Sequence, residues 1–74
     1  MSYETRKRFR YQCIATGPGG VQQEETFETY WSPQKVTVDE IMLAGSAMLT
    51  ANATRGRPRV VRWLVVSAKL INPD

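Results

Sequence analysis

Arg55, Arg57 and Arg59 alternate with Gly56 and Pro58, and Arg62 follows at once. A guanidinium presents a planar fork of N–H donors that matches phosphate and carboxylate oxygens, so this spacing suits recognition of an anionic surface. A second basic cluster, Arg6-Lys7-Arg8 with Arg10, lies near the start of the chain. Bond-breaking chemistry has far less to work with. There is no histidine and a single cysteine, Cys13, so a zinc site lacks its ligands and the Ser-His and Cys-His nucleophile pairs lack their base. Glu24 with Glu28, and Ser67 with Lys69, are the remaining neighbours of catalytic type. Without a placed base or metal they read as solvated surface and sheet packing. The expectation is no enzyme, no metal and no cofactor.

The stretch Arg55-Gly56-Arg57-Pro58 resembles the core of an AT-hook, in which glycine lets the backbone approach the floor of an A·T-rich minor groove while arginines enter its negative potential. Its neighbours favour a different role. A helix-like run precedes it and an apolar strand-like run follows, so Gly56 reads as the residue just past a helix end that takes positive φ. Arg55 then complements the negative end of the helix dipole, and Pro58 prevents continuation.

Several segments must position these residues. Phe9, Tyr11, Cys13 and Ala15 alternate with Arg8, Arg10, Gln12 and Thr16, the pattern of a half-buried strand. Gly17-Pro18-Gly19-Gly20 signals a turn, and residues 21–31 read as a second strand with Phe27 and Trp31 on the face opposite Glu24, Glu28 and Tyr30. Thr37-Val38-Asp39-Glu40 is a capping box, with Val36 and Ile41 placed as a hydrophobic staple, so a helix is predicted from here to about Thr54. Between Glu40 and Arg55 there is no charged residue. Ile41, Ala44, Met48 and Ala51 form the stripe expected to face a sheet, with Gly45 and Ala47 allowing close approach. Ser46, Thr50 and Thr54 fall opposite, with Leu43 among them and Met42 and Leu49 on the flank. This surplus of apolar surface makes Leu43, Met42, Leu49 and Trp63 candidate interface residues. Residues 59–71 read as a long final strand that is apolar on both faces, which implies cover on the side away from the helix. Asn52-Ala53-Thr54 matches a glycosylation acceptor but falls inside the predicted helix.

The fold class that follows is α+β: a small ββαβ module with a three-stranded antiparallel-type sheet in the order 2-1-3 and one helix on one face. Residues 1–8 form a basic arm, 9–71 a single domain and 72–74 a tail. With 74 residues, 42% of them hydrophobic and a net charge of +3, the chain is compositionally a folded module with a thin core. The helix stretch is too short and too rich in hydroxyls for a membrane span. No signal-like apolar run follows the basic N-terminus, so a cytoplasmic location is expected, with Cys13 as a small buried hydrophobe.

In this topology the two basic clusters sit at opposite ends of the sheet. The first functional expectation is a non-enzymatic protein-binding module, expected to be a homodimer, that contacts a partner with an acidic surface or bound nucleic acid. In general character it resembles the small inhibitor and adaptor proteins of phages and mobile elements, including anti-CRISPR proteins built as a small sheet with one helix. That resemblance implies a host nucleic-acid-processing complex as the target. The alternative is a sequence-tolerant DNA- or RNA-binding protein using the Arg6–Arg10 and Arg55–Arg59 clusters.

Overall fold

The computed structural model describes residues 7–72, so Arg6 and most of the basic arm lie outside the described residues, as does the end of the C-terminal tail. Strand β1 (Phe9–Thr16) and strand β2 (Gln22–Thr29) form an antiparallel hairpin in continuous register from Phe9 opposite Thr29 to Thr16 opposite Gln22. Gly19 and Gly20 take φ of +73° and +78° at the turn, a conformation open to glycine at little cost. Helix α1 (Val38–Thr54) follows, and strand β3 (Leu64–Leu70) pairs antiparallel with β1, giving the sheet order β2-β1-β3. This is the expected ββαβ arrangement, with its one helix packed against the sheet.

The helix begins where its capping box places it. The Glu40 amide donates to the Thr37 hydroxyl and the Glu40 carboxylate accepts from the Thr37 amide, at 3.2 and 3.1 Å. Val36 packs on the same core as Ile41. At the other end the Arg55 amide donates to the Ala51 carbonyl. Gly56 takes φ +72°, and the Arg57 amide closes a turn onto the Thr54 carbonyl at 2.9 Å. With Arg55 at φ −53° and ψ 124° this is a type II turn, which needs positive φ at its third residue.

The final strand differs from expectation in two ways. It starts at Leu64, not Arg59, and Val66 is an extra residue: Ile14 pairs with Ser67 while Ala15 pairs with Val65. A bulge of this kind reverses the alternation. Val65 faces the core before it, and Ala68 and Leu70 face the core after it, opposite Cys13 and Tyr11. The bulge accounts for Ala68 and Leu70, while Val60, Leu64 and Val66 are exposed, so the cover expected over the second face is not seen among the described residues. The second strand also stops early, at Thr29, leaving Tyr30 and Trp31 beyond the sheet ladder.

The buried core is Tyr11, Cys13, Ala15, Ile41 and Val65. Burial, and secondarily the nearby Glu25 charge, pushes the Cys13 thiol pKa up, which keeps it protonated and apolar in character. Gly17 has a packing role that its turn position conceals. A Cβ built on it would stand 2.5 Å from ring carbons of Trp63, so the indole lies directly on the glycine. Gly17→Ala is expected to cost about 1–3 kcal/mol through displacement of that ring, measured as a lower urea midpoint with an unchanged slope. A loss below about 0.5 kcal/mol, the usual range for surface changes, would show that the indole moves aside freely.

Candidate binding surfaces at the two ends of the sheet

Helix α1 meets the sheet through a stripe rotated from the one its periodicity suggests: Ile41 is buried and Ala44 half-buried as expected, but the stripe then turns toward the hydroxyls. Ser46, Thr50 and Thr54, expected on the solvent side, face the chain leading into β3. The Val61 amide donates to Thr54 Oγ1 at 2.8 Å, the Trp63 amide to Thr50 Oγ1 at 2.9 Å, and the Val65 amide to Ser46 Oγ at 2.8 Å. Thr50 Oγ1 in turn donates to the Trp63 carbonyl at 3.1 Å, and Ser46 Oγ to the Met42 carbonyl at 2.7 Å. Hydroxyls four residues apart stand on one helical face, and amides two residues apart leave one edge of an extended chain. The two repeats, about 6 Å and about 6.6 Å, nearly match. The helix therefore takes the place of a fourth strand along residues 61–65. Gly45 lets it approach, since a Cβ there would lie 3.1 Å from Val65 Cγ2. Met48 and Ala51, expected to be inside, are exposed.

This rotation sorts the candidate interface residues. Met42 and Leu49 are half-buried against the core. Leu43 is 70% exposed, and with Val60 at 65% and Leu64 at 55% it flanks a groove of about 540 Å³ between α1 and residues 60–64. Trp63 and Arg62 line the same groove, and so do Thr54 and Val60, from which the arginine loop hangs. Along the helix the groove runs from Leu43 to Thr54, roughly 16 Å at 1.5 Å per residue. Arg55, Arg57, Arg59 and Arg62 are all exposed. Among the described residues the one ion pair is Arg10 with Glu28, at 3.4 Å, so none of these four arginines is paired with a carboxylate there.

The other basic cluster stands at the far end of β1, as the topology requires. The side-chain amide of Asn72 bridges the Arg10 amide and the Arg8 carbonyl, continuing the β1–β3 pairing past Leu70. Arg8 Nε donates to the Tyr30 hydroxyl at 3.2 Å, and its guanidinium carbon lies 5.9 Å from the Tyr30 ring centroid. The Tyr30 hydrogen bond is the main cause of a raised Arg8 pKa. Lys7 Nζ lies 5.4 Å from the Phe9 ring centroid.

Leu43, Trp63 and Arg62 thus line one groove with the Arg55–Arg59 loop at its Thr54–Val60 end, while Lys7, Arg8 and Arg10 form a separate corner and Met42 and Leu49 turn inward. Sequence reading missed Val60 and Leu64 as groove walls, although their even-numbered spacing in an apolar run is visible. No family model matches the chain, and neither a curated protein nor a solved structure shows significant similarity to it. No helix among the described residues is long and apolar enough to cross a membrane, and none of their carboxylates and thiols cluster as a metal-binding group.

Proposed function

We propose that the protein is a non-enzymatic binding module that docks an acidic, apolar-anchored segment of another protein in the groove between α1 and residues 60–64. The observation that carries this reading is a groove walled by Leu43, Val60 and Leu64, all more than half exposed, and bordered by Arg62, with the exposed Arg55–Arg59 loop at its Thr54–Val60 end and no carboxylate paired with any of these four arginines among the described residues. Apolar walls reward burial of an anchor, and the unpaired cations select against a basic partner. Roughly 16 Å of groove accommodates about three turns of an amphipathic helix. Covering such a segment on a component of a nucleic-acid-processing complex is how an inhibitor or adaptor of this size would act.

The test uses two labelled helical peptides with the same leucine spacing, one with glutamates on its polar face and one with lysines. The glutamate peptide is expected to bind and to shift the amide resonances of Leu43, Val60 and Leu64. Leu43→Asp and Arg57→Glu are each expected to weaken it about tenfold or more, consistent with loss of an interface anchor or a desolvated charge pair. Equal binding of the lysine peptide, or shifts confined to other surfaces, would reject the groove. Light scattering across a concentration series reads the remaining case. A dimer that Leu43→Asp dissociates would assign the groove to a second copy, as the sequence-based expectation of a homodimer would have it.

A further inference from the structure

We infer that the corner formed by Lys7, Arg8, Tyr30 and Trp31 is a stacking site for single-stranded nucleic acid, separate from the groove at the other end of the sheet. Tyr30 and Trp31 are adjacent in sequence just past the end of β2, and they are 49% and 48% exposed. Neighbours in a continuing strand would point to opposite faces. Here the ladder has ended, and both residues border one open depression of about 610 Å³ together with Lys7, Phe9, Phe27, Glu28 and Met48, while Arg8 and Tyr30 border a smaller one of about 180 Å³ beside it.

The platform is braced from below. The Trp31 amide donates to Thr29 Oγ1 at 3.1 Å, and the Lys35 and Val36 amides both close onto the Ser32 carbonyl, which fixes the chain immediately after the indole. The Phe27 ring supports Trp31 at a centroid distance of 6.5 Å and a tilt of 53°. On the facing side the Asn72 amide holds the backbone of Arg8 and Arg10. The aromatic surface is therefore presented by anchored backbone, so little ordering is left to be done on binding.

Charge decides the class of ligand. Lys7, Arg8 and Arg10 gather here, and among the described residues the one ion pair takes up Arg10 and Glu28. Lys7 and Arg8 outnumber the one carboxylate here, Glu28. Arg8 holds Tyr30 through Nε and keeps its other N–H donors for a polyanion, while the half-exposed Trp31 ring meets a flat π-face, and single-stranded nucleic acid supplies both. A duplex keeps its bases stacked and gives the rings nothing to stack on. An acidic peptide satisfies the cations alone.

The experiment titrates a dye-labelled twelve-residue oligothymidylate into the full chain and follows anisotropy, with an abasic strand of the same length and a glutamate heptapeptide as competitors. Binding is expected to fall with salt at a log-log slope near −1.4, from two phosphate contacts on a single strand at about 0.7 each. Trp31→Ala is expected to weaken it about 5- to 150-fold, the loss of one stacked base, and Trp31→Phe to restore most of that. The phenylalanine variant keeps the reading distinct from misfolding, and circular dichroism confirms the fold of each. Arg55→Gln with Arg57→Gln is expected to leave the affinity unchanged. Four results would each overturn the inference: no binding by the unaltered chain at low salt, abasic strand binding as tightly, the glutamate peptide competing equally well, or loss of binding on changing Arg55 and Arg57.

Discussion

The double variant Ser46→Ala, Thr50→Val is expected to lose about 2–4 kcal/mol of stability, about 1–2 for each half-buried amide left without an acceptor. Valine keeps the branched shape of threonine, so Thr50→Val removes hydrogen bonding while retaining volume. At Thr50 the loss is twofold, because the hydroxyl accepts from the Trp63 amide and donates to its carbonyl. A chain of 74 residues has a total stability on the order of 4–11 kcal/mol, so the double change removes a large share of it. Urea unfolding followed by circular dichroism measures the effect, and Thr50→Ser, which keeps the hydroxyl, is expected to lose markedly less than Thr50→Val. A combined loss under about 0.5 kcal/mol would mean that water replaces the hydroxyls and that the helix is held by apolar packing alone.

Ile41→Ala is expected to cost about 2–5 kcal/mol, the range for deleting most of a fully buried aliphatic side chain. The argument for so large an effect is the scarcity of alternatives. Ile41 and Gly45 are the helix residues that are fully buried, and Gly45 has no side chain to contribute. Ile41 is therefore the helix's one large side chain sealed among Tyr11, Cys13, Ala15 and Val65. Ile41→Val, which removes a single methylene, is expected to cost about 0.5–1.5 kcal/mol. The ratio between the two separates a filled cavity from one that collapses. Equal losses from both variants would show that the δ-methyl end of the side chain, which both lack, carries the whole contribution.

The parts of the fold written in local chemistry were legible. Thr37 and Glu40 mark the helix start, Gly56 marks its stop, and the glycines at 17, 19 and 20 mark the hairpin; each acts on residues within a few positions of itself. The strand order followed from element lengths and connection rules. The helix face did not, because a serine or threonine has the same polarity whether its hydroxyl meets water or a backbone amide. Ser46, Thr50 and Thr54 look solvated until their partner chain is in place. The Val66 bulge left no mark either, since one more valine in an apolar run changes neither polarity nor turn propensity. At the candidate sites the arginines of the 55–62 stretch were visible from charge and Leu43 from its isolation among hydroxyls. Trp31 packs on Phe27 and Tyr30 meets Arg8, as strand alternation suggests, but the early end of β2 at Thr29, which lets both residues border one depression, has no signal in the sequence.

The hydroxyl ladder also bears on the order in which the chain can assemble. Its three amide bonds join residues 7, 13 and 19 positions apart, from Thr54–Val61 outward to Ser46–Val65. Closing a short loop costs little entropy, and each bond formed shortens the next loop that must close. The helix and the chain leading into β3 can therefore zip from the Gly56 turn much as a hairpin does, independently of the β1–β2 hairpin, which closes from its own turn. The β1–β3 pairing and the packing of Ile41 on Tyr11, Cys13 and Ala15 then join distant parts of the sequence. With both halves closed locally, the β1–β3 seam carries most of the sequence separation, and its formation is the step expected to set the folding rate.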